Sequence, residues 1–426
     1  MTFENANVMK QDQCFACGIW NHFEDVLDLG EQPLANSFKS NPGAPEAKYP
    51  LAIHRCRNCT HIQLKHVINP DLLFKDYIYR SGTAKTQLEY FEWFTDFVTE
   101  RYKNNQSTLN PPATVLDIGC NDGSQLKFFK KSGYTTYGVD PAENLFDLSS
   151  RHHKVHCGYF NGGEFPGVQF DVIICQNAFA HNNNPEQFLQ NVNKILKTNG
   201  LVYITTSQVD MIPNGEFDTI YHEHLSFYTI KSMRMLARRS GLFLTDVLKH
   251  SIHGTSYIFV LGKQPNERYI AQREWEEEHA GLYSEEIIEA FRDRANHAVE
   301  GYRKHIEHYR KLKIPIIGYG APAKGNTFMN YAGVGPDFVV DDSPSKQGMF
   351  TPGLGVPVVD WTRIRDLDSA EQIVFVPYAW NFFSEIVTKI FSIRGNRKED
   401  RYMQLMPDFV VYKNFNLEWG TGEVVS

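Results

Sequence analysis

The densest run of titratable side chains in the sequence is Tyr221-His222-Glu223-His224. An imidazole titrates near neutral pH, so a histidine in this run could act as a general base. A phenol or a second imidazole could donate a hydrogen bond to a negative charge that develops beside it. The spacing is not the H-E-x-x-H of a helical zinc site. The run predicts a proton-transfer site; the alternative is that its histidines are structural.

The surroundings of this run indicate how it is positioned. It lies in PNGEFDTIYHEHLSFYT, which is typical of a loop that follows a strand. Loops mounted on a rigid sheet frequently carry catalytic groups. We therefore expect a sheet whose edge holds a cofactor beside this loop.

A cofactor-binding sheet is predicted upstream of the loop. TVLDIGC (114–120) is typical of a buried strand, NDG of a turn and SQLKFFKKSG of a helix. TTYGVD predicts the next strand and ends in Asp140, where an acid can accept hydrogen bonds from both ribose hydroxyls of an adenosine. The turn from Gly119 to Gly123 lacks the G-x-G-x-x-G spacing of NAD enzymes and suits S-adenosylmethionine, which has no pyrophosphate. FDVIICQNAFAH and GLVYITTSQVD predict further strands. The alternative is a structural turn in an α/β domain that binds no cofactor.

Four of the seven cysteines form two C-x2-C hooks, Cys14 with Cys17 and Cys56 with Cys59. Two such hooks can place four thiolates around one ion as a tetrahedron, and soft thiolate ligands favour Zn²⁺. The alternatives are an iron site or four free thiols. Because four protein ligands leave no open coordination position, the predicted zinc is structural.

The C-terminal third predicts a second α/β layer. EEIIEAFRDRANHAVEGYRKHIEHYRKLK indicates a helical connector, and IPIIGYGAPAKGNTFMNYAG repeats the order of strand, glycine turn and helix. Gly320 would allow close backbone approach, and Lys324 could reach a phosphate. FVVDDSPSKQGMFTPG predicts a strand that ends at Asp341 and a loop that carries Lys346. The alternative is a structural lobe without a ligand.

The composition restricts the class of protein. The chain has 426 residues, a length that indicates two or three domains. Of these residues 42% are hydrophobic and 22% charged, a composition typical of globular proteins. Subtracting 50 acidic from 43 basic residues gives a formal charge of −7, which offers no overall attraction to nucleic acid or anionic lipid. No apolar run approaches the length of about 20 residues that spans a bilayer, and the first residues lack the apolar core of a signal peptide. The expectation is a cytoplasmic protein without a nucleic-acid or membrane partner.

Several of these segments, in this order, resemble the S-adenosylmethionine-dependent C-methyltransferases that act on nucleotide-linked keto-sugars. The resemblance covers almost the whole chain. It is carried by the cysteine hooks with LGEQPLANSF, DYIYRSG, VLDIGCNDG, NAFAHNNNPEQFL, IYHEHLSFYT, GYGAPAKGNTFMNYAG and VDDSPSKQGMFTPG.

The resemblance implies a role for each matching residue. His224 would be the base, Tyr221 and Glu223 would orient it or the sugar, and His181 would be another catalytic residue. Tyr79 would supply a further phenol, although Tyr77 is an equally good choice. The residues expected to bind the cofactor are Asp117, Gly119, Asn121, Gly123, Asp140 and Asn177. The residues expected to bind the substrate are Tyr77, His222, Gly320, Lys324, Asn326, Asp341 and Lys346.

The predicted fold class is α/β, with a Rossmann-like class I methyltransferase sheet, an N-terminal zinc module and a second Rossmann-like domain. The domain boundaries are 1–75 for the zinc module, 76–265 for the methyltransferase domain, and 266–426 for the connector and the domain that contacts a nucleotide-sugar. The predicted reaction is C-methylation of a nucleoside-diphosphate 4-keto-hexose, with C3 favoured over C5. The alternatives are a sugar O-methyltransferase and a non-catalytic nucleotide-sugar-binding protein.

Overall fold

The computed structural model describes residues 7–75, 80–83, 85–105, 112–206, 209–250, 256–367, 369–417 and 420–425. The strands within these residues, in chain order, are β1 (Val8–Lys10), β2 (Phe23–Pro33), β3 (Lys48–Cys56), β4 (Ile62–Leu64), β5 (His66–Ile68), β6 (Thr114–Ile118), β7 (Thr135–Asp140), β8 (Lys154–Cys157), β9 (Phe170–Gln176), β10 (Leu196–Thr206), β11 (Ser226–Phe227), β12 (Phe243–His250), β13 (Ser256–Gly262), β14 (Ile316–Tyr319), β15 (Phe338–Val340), β16 (Val358–Val359), β17 (Val374–Pro377), β18 (Arg401–Gln404), β19 (Val410–Asn416) and β20 (Thr421–Val424).

The α-helices in the same part of the chain vary from single turns to seven turns. They are α1 (Asp71–Phe74), α2 (Lys85–Asn105), α3 (Ser124–Lys131), α4 (Phe146–Ser149), α5 (Pro185–Ile195), α6 (Met211–Asn214), α7 (Ile230–Arg239), α8 (Glu267–His279), α9 (Glu286–Lys311), α10 (Ala323–Ala332) and α11 (Phe383–Arg394). Among the described residues, no helix combines the length and the apolar character needed to cross a membrane.

The chain forms two compact units. The first contains the described residues of Met1–Asp25, His54–Val209 and Glu223–Tyr283. The second contains those of Val26–Ile53, Asp210–His222 and Ser284–Ser426. Three of the five unit boundaries therefore fall within β2, within β3 and within the segment from Tyr221 to His224. The three sequence domains 1–75, 76–265 and 266–426 stay a prediction.

The first unit is built on a seven-stranded sheet with the order β12-β13-β10-β9-β6-β7-β8. Strands β6 to β10 pair in parallel, and β13 pairs antiparallel with both β10 and β12. The chain moves outward from β6 in both directions, so the switch point lies where β6 meets β9. Ligands of open α/β sheets bind at the carboxyl ends of the strands at such a point.

The core of this unit covers both faces of the sheet. Leu116, Ile118 and Ile173 face a layer that also contains Cys14 and Cys59. Their neighbours Val115, Val172 and Ile174 face the opposite layer with α2 residues such as Phe94. Successive strand residues point to opposite faces, so a central strand with both faces covered must be apolar along its length. This explains why FDVIIC predicted a buried strand.

The second unit repeats the plan with its own sheet, ordered β16-β15-β14-β17-β18-β19-β20. Strands β14 to β18 pair in parallel, and β19 and β20 extend the edge antiparallel. The switch point lies between β14 and β17. The predicted fold class, two Rossmann-like sheets in an α/β chain, is confirmed.

Candidate active site and metal centre

The two cysteine hooks converge in the first unit. The sulfur atoms of Cys14 and Cys59 are 3.6 Å apart, as are those of Cys17 and Cys56. All four lie within 4.8 Å of one another. A tetrahedral zinc site with Zn–S bonds of about 2.3 Å has S–S edges of about 3.8 Å, so the four thiols fit the ion.

The chemistry of the sulfur atoms also fits a metal. Hydrogen bonding to the Cys14 thiol lowers the pKa of Cys56, which favours its thiolate, the form that ligates zinc. Cys14, Cys56 and Cys59 are buried, and Cys17 is half-buried. A closed set of four ligands without an open position is typical of structural zinc.

The cofactor turn follows β6. The backbone N–H of Gly119 donates to the carbonyl of Val139, and Gly119 adopts a left-handed φ of 83°. A Cβ at this position would lie 2.6 Å from Cβ of Ala178, so only glycine fits here. Gly123 is also left-handed and precedes α3. The turn thus brings the backbone close to the carboxyl edge of the sheet.

Asp140 at the end of β7 is oriented by two backbone contacts. Its carboxylate accepts from the N–H of Asn121 at 2.7 Å and from the N–H of Ala142 at 2.9 Å. Burial raises the pKa of this carboxyl, and the two backbone bonds oppose the rise. Each carboxylate oxygen has a second lone pair for a ribose hydroxyl. This arrangement fits the adenosine part of S-adenosylmethionine.

Two further polar residues, Asp117 and Asn177, lie at the same edge of the sheet. Asp117 is buried in β6, where burial and then the charges of Asp140 and Asp122 raise its pKa well above the usual range. Asn177 follows β9 with a left-handed φ of 55°, and its N–H donates to Thr205.

The sequence did not indicate that Ser81 and Gly82, at the end of DYIYRSG, contact the cofactor turn. The N–H of Ser81 donates to Oδ1 of Asn121 at 3.0 Å, and the N–H of Gly82 donates to Oδ2 of Asp122 at 3.1 Å. A Cβ on Gly82 would overlap the hydroxyl of Ser124. The glycine in DYIYRSG was the available signal for this close approach.

His181 and His224 lie together in the first unit. Their ring centroids are 5.4 Å apart with 24° between the planes. Phe74 stacks on His181 as well, with centroids 5.3 Å apart and 10° between the planes. Burial lowers the pKa of His181 to about 4, so this imidazole is neutral at neutral pH. Phe74 is a second residue that the sequence did not indicate.

The rest of the predicted catalytic run divides between the units. Glu223 is buried in the first unit with His224, whereas Tyr221 and His222 belong to the second. His222 is buried, and its Nε2 lies 3.3 Å from the carbonyl oxygen of Tyr49. This contact holds His222 to β3.

The second unit contains a turn of the same kind after β14. Gly320 is left-handed, and its N–H donates to the carbonyl of Val340. The carboxylate of Asp341 accepts from the N–H of Ala321 at 2.7 Å. Nζ of Lys346 lies 2.9 Å from the carbonyl oxygen of Ala321 and 3.5 Å from the Asp341 carboxylate. Gly320, Asp341 and Lys346 thus form one group at this turn.

Lys324 and Asn326 have partners within the second unit. Nζ of Lys324 lies 3.9 Å from Glu216 and 4.9 Å from the ring centroid of Trp380. Asn326 is fully buried, and its Nδ2 donates to the carbonyl of Ala35 at 2.8 Å. Tyr77 and Tyr79, by contrast, lie outside the described residues.

Comparison with known proteins adds to this geometry. Three family models match successive parts of the chain: a zinc binding domain at residues 14–74, a methyltransferase domain at 90–247 and a C-methyltransferase C-terminal domain at 251–400. The C-methyltransferase NovU of Streptomyces niveus is 27% identical over 404 residues, which are 91% of this chain and 94% of NovU. Together these matches show an S-adenosylmethionine-dependent C-methyltransferase.

Other proteins resemble this C-methyltransferase over shorter stretches. The ubiquinone biosynthesis O-methyltransferase of Coxiella burnetii (strain RSA 331) is 23% identical over 194 residues, 40% of this chain and 80% of that protein. The plantazolicin methyltransferase BpumL, solved with a monoazolic desmethylPZN analog and S-adenosylhomocysteine, aligns with 42% of this chain and 86% of its own, at 18% identity and a TM-score of 0.36.

These findings decide among the sequence alternatives for this C-methyltransferase. The expected cofactors, S-adenosylmethionine and structural zinc, are confirmed. The protein is therefore an enzyme and not a non-catalytic binding protein. A C-methyltransferase that aligns over 91% of the chain favours C-methylation over O-methylation. The roles of individual side chains stay predictions.

Proposed function

We propose that the enzyme methylates a carbon beside the C4 ketone of a nucleoside-diphosphate hexose, with C3 as the favoured position. The likeness of the whole chain to keto-sugar C-methyltransferases supports the substrate class. The observation that carries the chemistry is the stacked pair of His181 and His224, in the unit that also holds the cofactor turn. A cytoplasmic location is part of the same proposal.

His224 is the base in this proposal. Its imidazole takes the proton from C3, and the electron pair of the C–H bond moves into the enolate of C3, C4 and the ketone oxygen. When bound, S-adenosylmethionine supplies an electrophilic methyl group. The enolate carbon would take this methyl group as the sulfonium–methyl bond breaks with its electron pair on sulfur, and the C4 ketone would return. His224 then releases its proton to solvent.

His181 assists the base by staying neutral. Its pKa of about 4 means that it adds no positive charge beside His224 at neutral pH, and a like charge would disfavour the imidazolium that the reaction forms. Phe74 and His224 both stack against this ring and hold it in place. Tyr221, Glu223 and a tyrosine at position 77 or 79 are the proposed donors and orienting groups.

The second unit is the proposed location of nucleotide contacts. Lys324, Lys346, Asn326, Asp341, Gly320 and His222 all belong to it. The Lys346 ammonium beside Asp341 is the cation expected to attract a phosphate oxygen.

The test uses His224→Gln and a panel of nucleotide-linked 4-keto sugars. The variant should bind S-adenosylmethionine like the wild type in calorimetry, and its kcat should fall by about two to four orders of magnitude because general-base catalysis is lost. Mass spectrometry of the wild-type products should show one added methylene, which NMR locates on carbon. Wild-type turnover by the variant would remove His224 as the base, and methylation on oxygen would overturn the reaction.

A further inference from the structure

The zinc module contributes a strand beside the proposed base. Strand β4 pairs antiparallel with β11, with Gln63 opposite Ser226 and Ile62 opposite Phe227. Ser226 lies two residues after His224 in the sequence. Strand β4 begins three residues after Cys59, so a short covalent path joins the second cysteine hook to the strand that follows the base.

Gln63 connects the first cysteine hook to the same strand pair. Its side chain is fully buried, and Oε1 accepts from the N–H of Phe15, the residue after Cys14, at 2.9 Å. Its Nε2 donates to the carbonyl of Gln13 at 3.1 Å. Both ends of the amide therefore bind the backbone of the hook on either side of Cys14.

The second hook has side-chain contacts with the residues after His224. Nε2 of His61 lies 3.2 Å from Oγ of Ser226, and the hydroxyl groups of Thr60 and Thr229 are 3.0 Å apart. All four side chains are buried. Both cysteine hooks are thus tied, through separate side chains, to the segment that begins at Ser226.

Leu225 carries these ties to the two histidines. Its carbonyl accepts from the N–H of Leu64 at 3.0 Å, and its own N–H donates to the carbonyl of Ala180 at 2.8 Å. Ala180 precedes His181, and Leu225 follows His224. Backbone hydrogen bonds therefore connect β4 to Leu225, and Leu225 to the residue before His181.

We propose that Gln63 is a positioning residue for His224: it transmits the fixed geometry of the zinc hooks, through β4, to the strand that sets where this imidazole lies. The catalytic part of this inference rests on the proposed function. Zinc then contributes to turnover by holding the base, although it takes no part in the chemistry. Loss of the Gln63 contacts leaves buried backbone groups at Phe15 and Gln13 unpaired, which loosens the hook from the strand.

The test compares Gln63→Met with Gln32→Met in the full-length enzyme. Gln32 is a buried glutamine of the second unit whose Nε2 also donates to a backbone carbonyl, so its substitution controls for the loss of a buried amide. Each variant is assayed for zinc by mass spectrometry, for kcat and KM, and for amide deuterium uptake. Ser226→Ala, which removes only the hydroxyl beside His61, replaces Gln63→Met if that variant does not fold.

The proposal predicts that Gln63→Met retains one zinc per chain and a KM for S-adenosylmethionine within about twofold of wild type, while kcat falls about tenfold. Deuterium uptake should rise about tenfold in rate in peptides spanning 222–230 and stay unchanged at 135–142, since only the former contain the strand that pairs with β4. Gln32→Met should change none of these. Unchanged uptake at 222–230, an equal rise throughout the unit, or an unchanged kcat would overturn the positioning role.

Failure of the proposed function gives a different result. If His224 is not the base, His224→Gln retains turnover whatever Gln63→Met does to the exchange of residues 222–230. If only the tie is wrong, His224→Gln abolishes turnover while Gln63→Met behaves like Gln32→Met.

Discussion

The carboxylates of Asp140 and Asp341 are each held by two backbone N–H groups in equivalent positions of the two sheets. Asp140 accepts from Asn121 and Ala142 at 2.7 and 2.9 Å, and Asp341 accepts from Ala321 and Ser343 at the same distances. In chain order, Asp140 ends the second strand of its sheet and Asp341 directly follows the second strand of the other. The difference is a lysine: Nζ of Lys346 lies 3.5 Å from the Asp341 carboxylate, which leaves that acid less able to accept from a ribose.

This relationship provides a matched test of cofactor binding. Asp140→Asn replaces one acceptor by a donor that faces a backbone N–H, so we expect S-adenosylmethionine to bind about tenfold or more weakly. Asp341→Asn makes the same change in the other sheet and should leave the affinity within about twofold. Isothermal calorimetry measures both, and equal weakening would contradict the assignment of Asp140.

Gly119→Ala tests the close approach of the turn. The new Cβ would meet Ala178 at 2.6 Å in addition to the strain of φ at 83°. Gly133→Ala is the control, because Gly133 also has a positive φ, 90°, but no atom within 4 Å of the new Cβ. We expect each variant to lose about 1–2 kcal/mol of stability from backbone strain, and only Gly119→Ala to lose further stability and cofactor affinity. Denaturant titration and calorimetry decide, and indistinguishable variants would contradict the steric argument.

The geometry of both turns was largely predictable from short-range patterns. A glycine directly after a strand, with an acid at the end of the next strand, is a pattern set by what the local backbone requires. The C-x2-C spacing is a local pattern of the same kind, so both features can be predicted from sequence. Two other contacts depend on tertiary packing: that of Phe74 with His181, and the pairing of β4 with β11. The local pattern of hydrophobic residues around each of them does not indicate which distant residue it will contact. For the same reason the sequence did not indicate that residues 26–53 and 210–222 join the second unit.

Cys17→Ser tests the metal centre. Removing one of four thiolates should reduce the zinc content from about one per chain to well below one, and it should lower the thermal unfolding temperature because structural zinc binding contributes folding free energy. Cys157→Ser changes a half-buried cysteine outside the group and should retain the metal. Elemental analysis with thermal scans gives both values. Full zinc content in Cys17→Ser would exclude this residue as a ligand.

The neutral state of His181, whose side chain is half-buried, predicts an acid dependence of stability. Its pKa in the folded enzyme is about 4, below the ordinary value of 6.5, so between these pH values the unfolded chain binds a proton that the folded chain does not. The free energy of unfolding therefore falls as pH drops from about 6.5 towards 4, by about 3 kcal/mol from this residue.

His181→Phe removes that contribution. The difference in the slope of unfolding free energy against pH should be about 1.4 kcal/mol per pH unit in that window, as measured by urea titration at several pH values. His297→Gln changes an exposed histidine of the second unit and should retain the wild-type slope. Identical slopes for wild type and His181→Phe would show that His181 is not held neutral by burial.

The most direct test of the account is solvent exchange at the substrate carbon. A nucleoside-diphosphate 4-keto-hexose is incubated with the enzyme in D₂O, with S-adenosylhomocysteine in place of the methyl donor, and NMR follows the hydrogen on C3. We predict that the wild type exchanges this hydrogen for deuterium and that His224→Gln slows the exchange by at least about a hundredfold with cofactor affinity retained. Exchange at the wild-type rate in His224→Gln would contradict proton removal by His224.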